Sequence, residues 1–127
     1  ERGQGGSFIV ISSAAGLKGQ PFTLSYTAAK HGLVGIVNAL AIEYGEYNIR
    51  ANSIHQAGVT TPMGNVPGLG ALIEERAFTV GPVFMNTMPV EFIDSIDVSN
   101  AVIYLASDEA RYVTGMQMKI DAGLVGR

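Results

Sequence analysis

The sequence predicts an α/β protein: a small sheet of three parallel strands with helices against its faces. Three observations carry this expectation. A short run of consecutive apolar residues, bounded by Gly-Gly and Ser-Ser, reads as a strand of a parallel sheet. A long segment with apolar residues at threes and fours reads as a helix. The elements then alternate strand, helix, strand, insertion, helix, strand, the β-α-β-α-β order that lays successive strands parallel.

Residues 7–11, Ser-Phe-Ile-Val-Ile, form the first strand, expected to be buried on both faces. Residues 16–22 hold Gly16, Gly19 and Pro21 and read as a loop. From Leu24 to about Tyr47, the apolar residues Leu33, Val37, Leu40 and Tyr44 mark one helix face. Gly32 and Gly35 within it each cost about 1 kcal/mol against Ala, which close packing of another helix would offset. Asn48 ends the helix, and residues 49–54 read as the second strand. Residues 56–92 carry four of the five prolines and one short helical candidate, 69–78. A stretch so long and irregular is more often a lid or binding loop than a connector. Val98, Ala101, Val102 and Leu105 place a helix over 97–106, and residues 116–120 read as the third strand.

Composition excludes several classes. With 47% hydrophobic and 15% charged residues, the chain can bury a core and is not intrinsically disordered. A net charge of −3 gives no sign of a nucleic-acid partner. No Cys and only two His argue against a disulfide scaffold or a metal site, and suit a reducing, cytoplasmic setting. The most apolar stretch, residues 32–41, is far shorter than the ~20 residues that span a bilayer, so no membrane partner is expected. No signal-peptide pattern opens the chain.

Three residues carry candidate chemistry: Ser13, Tyr26 and Lys30. Tyr26 and Lys30 stand four apart on a helix and share a face. An ammonium held near a phenol favours the phenolate, and such a phenol exchanges protons with an alcohol or carbonyl oxygen. Ser13 follows a parallel strand, where open α/β sheets place their ligands. Taken alone, a Tyr–Lys pair is ordinary helix decoration. His31 and His55 raise a Ser/His hydrolase, but no Gly-x-Ser-x-Gly elbow accompanies them. The methionines at 85, 88, 116 and 118 read as packing, and Asp108, Glu109 and Arg111 as a solvated or capping cluster.

The context distinguishes the trio. Gly-Gly-Ser-Phe-Ile-Val-Ile-Ser-Ser-Ala-Ala-Gly, then Tyr26-Thr-Ala-Ala-Lys30-His-Gly, then Ile49-Arg-Ala-Asn-Ser-Ile-His55, resembles the short-chain dehydrogenase/reductase family. So does Leu105-Ala-Ser-Asp-Glu-Ala-Arg-Tyr-Val-Thr-Gly115 followed by Asp121-Ala-Gly. Within that family the chain is most similar to the carveol-dehydrogenase-like, mycofactocin-associated branch, on Asn52-Ser-Ile-His55, Thr61-Pro-Met, Met88-Pro-Val and Asp97-Val-Ser-Asn-Ala-Val. The resemblance covers nearly the whole chain.

It implies the C-terminal half of a doubly wound parallel-sheet (Rossmann) fold, its strands being neighbours at one side of a larger sheet. Residues 1–127 would then be a partial dinucleotide-binding domain, with residues 56–92 as its substrate-binding loop. It implies NAD or NADP as cofactor, NAD being favoured, and interconversion of a secondary alcohol and a ketone. Tyr26 would be the general acid/base and would also contact the cofactor, Lys30 would support it and bind the nicotinamide ribose, and Ser13 would orient the substrate oxygen, with Ser12 the less favoured neighbour. Val59 and Thr61 match the segment that contacts the nicotinamide carboxamide. A homo-oligomer, dimer or tetramer, is also implied.

Two departures stand out. Where the family usually has Pro after His55, this sequence has Gln56, and the rigid turn that proline sets is lost. No Thr-Gly-x-x-x-Gly-x-Gly phosphate loop occurs, nor the residue that selects NAD or NADP. With Glu1 at its front, the chain is expected to be the C-terminal half of a longer protein. The alternative is a catalytically incompetent fragment, at most an oligomerisation half acting through its 24–47 helix.

Overall fold

In the computed structural model, which describes residues 4–127, three strands form one parallel sheet in the order β1-β2-β3. β1 is Gly6–Ile11, β2 is Ile49–Gln56 and β3 is Gln117–Ile120. β1 pairs with β2 from Gly6↔Ile49 to Ile11↔Ile54, and β2 with β3 from Ser53↔Gln117 to Gln56↔Ile120. All the C-terminal strand ends therefore lie along one edge of the sheet.

Alternation along β2 divides the packing. Ile54 points to one face and joins Ala101, Leu105 and Ala110 in a buried cluster, with Ile9, Val98, Val102, Val113, Met116, Met118 and Ile120 around it. That cluster is built by α3, Ser95–Ala106, whose start lies two residues before the expected 97. Asp97 in its first turn suits the positive end of the helix dipole. On the opposite face, α1 (Leu24–Tyr44) lies against β2 with Val37 fully buried. The expected helix to Tyr47 becomes an α-helix to Tyr44 and one 3-10 turn, Gly45–Tyr47. Asn48 then takes φ 56°, a left-handed conformation that Asn tolerates, and its carbonyl accepts from Gly6 N–H at 3.1 Å. Gly5, at φ 75°, sits so close that a Cβ would lie 2.4 Å from that carbonyl oxygen.

Three expectations are corrected. β1 is not buried on both faces: Ser7 and Ile9 turn toward α3, but Phe8 is 49% exposed, because α1 lies chiefly over β2. Gly32 and Gly35 mark no helix contact among the described residues, since a Cβ at either would meet nothing within 4 Å. β2 does not stop at residue 54 but runs to Gln56, where proline, lacking a backbone donor, would disfavour a central strand. The insertion carries α2, Leu69–Glu75, shorter than the expected 69–78, and its two ends are joined by the isolated bridge Val59↔Ile93.

Candidate active site

The C-terminal end of β1 supplies the first part of the site. Ser12 extends the ladder, its N–H donating to the Ile54 carbonyl at 2.8 Å, and its hydroxyl donates to the Lys30 carbonyl at 3.3 Å. Ser13 is extended (φ −170°, ψ 162°) and caps the 3-10 turn Ala14–Gly16, its Oγ accepting from Ala15 N–H at 3.1 Å. An oxygen used as an acceptor in this way keeps its own proton to donate. Gly16 closes the turn tightly: a Cβ there would lie 2.7 Å from Ser12 Oγ, 2.9 Å from the Lys30 carbonyl oxygen and 3.0 Å from His55 Cε1.

The first turns of α1 bring Tyr26 and Lys30 to this place. Lys30 Nζ lies 5.4 Å from the centroid of the Tyr26 ring and donates to the Ile11 carbonyl at 3.3 Å. The lysine thus bridges the phenol and the end of β1. Tyr26 is 42% exposed.

β2 supplies the support beneath. Ser53 and His55 are fully buried on its α1 face. His55 Nδ1 is 2.7 Å from the Ser13 carbonyl oxygen and Nε2 is 2.8 Å from Ser53 Oγ. Burial holds the His55 pKa below the usual 6.5; the Ser13 hydrogen bond opposes this, and the nearby charges of His31 and Lys30 reinforce it. Gln56 donates to the Ser12 carbonyl at 3.2 Å, while its buried Oε1 has no partner among the described residues.

Val59 and Thr61, with Thr60, Pro62, Gly64, Asn65 and Phe92, line an open cleft of about 460 Å³ after β2, whose lining does not include Ser13, Tyr26 or Lys30. Lys18, which carried no signal beyond its place in a glycine-containing loop, gathers distant segments by donating to the carbonyls of Val83 (3.2 Å) and Leu124 (2.9 Å). Asp121 caps the C-terminal turn, accepting from Gly123 and Val125 N–H at 3.1 and 2.8 Å. Among the described residues, no helix is long and apolar enough to cross a membrane, and no three His, Cys, Asp or Glu residues group to hold a metal.

Comparison with known proteins places this geometry. Residues 1–125 match the family described as enoyl-(acyl carrier protein) reductase. The chain is 39% identical to (−)-trans-carveol dehydrogenase of Rhodococcus erythropolis, over 94% of this chain and 46% of that protein. Among solved structures it is similar to a short-chain dehydrogenase from Mycobacterium paratuberculosis bound to NAD, with TM-score 0.92 and 41% identity over 98% of this chain and 47% of that one. Carveol dehydrogenase from Mycobacterium avium in complex with NAD gives TM-score 0.87 and 39% identity, over 98% of this chain and 48% of that one. The chain spans about half the length of the curated relatives it matches.

Proposed function

Because the chain belongs to the short-chain dehydrogenase/reductase family, we propose that it carries the proton-transfer centre of an NAD-dependent oxidoreductase that interconverts a secondary alcohol and a ketone. The observation that supports this most is the Lys30 ammonium held 5.4 Å from the Tyr26 ring centre, at the strand end where Ser13 keeps a proton to donate. In the oxidation direction Tyr26 takes the hydroxyl proton of the alcohol, and in reduction it returns one to the carbonyl oxygen. Ser13 donates to that same oxygen and orients it. Lys30 Nζ, 5.4 Å from the Tyr26 ring centroid, ties the start of α1 to the end of β1 through the Ile11 carbonyl.

The residues present suit the nicotinamide end of the cofactor. Lys30 spends one of its three protons on Ile11 and has others for ribose hydroxyls. Val59 and Thr61 line the open cleft on the β2 side and would meet the carboxamide. When bound, NAD supplies the hydride acceptor. Residues 56–92 would enclose the substrate, and their exposed Met63, Phe78, Met85 and Met88 suit a largely hydrocarbon alcohol, as carveol is for the named relatives. These 127 residues hold no glycine-rich phosphate loop, so the activity is proposed for the polypeptide that supplies one together with them. The uncovered Ile36 and Ile42 of α1 suit packing against a second copy, in a dimer or tetramer.

The test is Tyr26→Phe in the natural polypeptide carrying this chain, assayed with NAD and a panel of secondary alcohols that includes carveol. Turnover is expected to fall by about 10²–10⁴, the contribution of a positioned acid/base, with NAD affinity retained. A variant that keeps most of its turnover would remove Tyr26 from the reaction.

A further inference from the structure

His55 is the most deeply buried titratable group near the site, and the proton transfer described above does not use it. Its surroundings determine its protonation pattern. The Ser13 carbonyl can only accept, so Nδ1 carries the hydrogen in the 2.7 Å contact. In a neutral ring Nε2 then has a free lone pair, and the Ser53 hydroxyl 2.8 Å away donates into it. Both ring nitrogens are satisfied at zero exposure. Burial opposes a charged ring most, the charges of His31 and Lys30 on α1 add to that, and the Ser13 carbonyl of the turn works against it, while β2 offers the neutral Ser53 hydroxyl.

We infer that His55 is a positioning residue for Ser13: held in its Nδ1–H tautomer by Ser53, it grips the Ser13 carbonyl and so fixes where the Ser13 hydroxyl stands. Ser13 ends a strand and begins a one-turn helix, and three contacts hold it. Within the turn, its Oγ accepts from Ala15 N–H and its carbonyl from Gly16 N–H at 2.9 Å. Only the His55 contact to that carbonyl ties the turn to the neighbouring strand β2. Gly16 lets the turn press onto the imidazole edge, and any side chain at that position would push the two apart. Ser13, Lys30 and His55 therefore form one rigid corner, with β2 setting the place of a residue on the loop after β1. The inference rests on the reading that Ser13 orients the substrate oxygen.

The experiment uses the natural polypeptide carrying this chain, with three variants and one spectrum. ¹⁵N NMR of the imidazoles at pH 7 is expected to show His55 with Nδ1 protonated and Nε2 bare. His55→Leu keeps the bulk and removes both hydrogen bonds; kcat is expected to fall by roughly 10–100-fold, the scale of a small misplacement of a reacting group, with NAD affinity unchanged. His55→Asn places an amide N–H near the lost Nδ1–H and is expected to recover most of that loss. An Nε2–H tautomer overturns the inference, and so does an Asn variant that folds and is no better than Leu. Should His55→Leu fail to fold, His55→Asn against the wild type and the tautomer decide. Tyr26→Phe, run alongside, separates the two levels. If it retains turnover, the proposed reaction fails; if it loses turnover while His55→Leu does not, only the positioning role fails.

Discussion

Replacing Asn52 tests how the frame beneath the site is built. Its side chain is fully buried and bridges β2 to the turn before β3: Nδ2 donates to the Val113 carbonyl at 2.8 Å, and Oδ1 accepts from Met116 N–H at 2.9 Å. Asn52→Leu keeps the approximate volume and removes both bonds. The two lost partners are not equal. The Val113 carbonyl retains a long contact from Arg50 Nη1 at 3.4 Å, so its loss is near the ordinary ~0.5–1.5 kcal/mol of one hydrogen bond. Met116 N–H is left buried without its acceptor, at about 1–3 kcal/mol. The expected cost is therefore on the order of 2–4 kcal/mol, and Asn52→Ala should exceed it by leaving a cavity. At a mid-range slope of about 2 kcal/mol per molar urea, the unfolding midpoint of the natural polypeptide falls by about 1–2 M. Hydrogen exchange should show the Met116 amide losing protection in the variant. An Asn52→Leu cost under ~0.5 kcal/mol, the size of an ordinary surface change, would refute the reasoning, as would a Met116 amide still protected.

Three further outcomes follow from particular residues. Because the folded pKa of His55 is depressed below 6.5, the unfolded chain binds more protons just under that pH; stability is fully present above about 6.5 and falls as pH drops toward the folded value. Urea midpoints at pH 7.5 and 5.5 should therefore separate more for the wild type than for His55→Asn, and an equal separation would contradict this. Calorimetric titration of the 127-residue chain with NAD should give no saturable micromolar binding, since no glycine-rich loop is present to seat the pyrophosphate on a helix N-terminus; a clear isotherm would oppose that. On size exclusion the same chain should self-associate through β1, whose outer edge has no strand partner among the described residues and whose Gly6–Ile11 run holds neither charge nor proline. Phe8→Lys should reduce the association, and a monodisperse wild-type monomer would sink the idea.

The parts legible in the sequence were those set by periodicity and by consecutive motif residues. β1, α1, α3 and β3 appeared within a few residues of their bounds, because runs such as Phe8-Ile-Val-Ile11 and spacings such as Ala101 to Leu105 follow directly from backbone geometry. The pairing of Tyr26 with Lys30 was legible for the same reason, since four residues along a helix bring two side chains to one face. The role of His55 was not. Its partners, Ser53 and the Ser13 carbonyl, come from alternation on one strand and from a neighbouring strand 42 residues away, and no local pattern announces a backbone carbonyl as a partner. The glycines at 32 and 35 misled because a missing side chain marks either close packing or open space, and only the surroundings distinguish the two. Phe8 misled because an apolar strand discloses its preference for burial, not whether a neighbour covers it.

A division of labour emerges between polar and apolar contacts. The corner that holds Ser13, Tyr26 and Lys30 is fastened chiefly by hydrogen bonds to backbone carbonyls: Ser12 to Lys30, Lys30 to Ile11, Gln56 to Ser12 and His55 to Ser13. Each joins the end of β1 to α1 or to β2, so that end cannot be displaced without breaking bonds to both other elements. Apolar packing contributes less at this face, where Val37 is the sole fully buried residue of α1 and Leu24, Ile36 and Ile42 are exposed. Hydrogen bonds are directional and fix orientation, whereas apolar burial is non-directional and rewards area. The site geometry is thus specified within this corner, and the outer apolar face of α1 can pack against another surface without altering it. Loss of that outer packing should therefore lower stability first. Loss of a single carbonyl grip, as at His55, should lower turnover first.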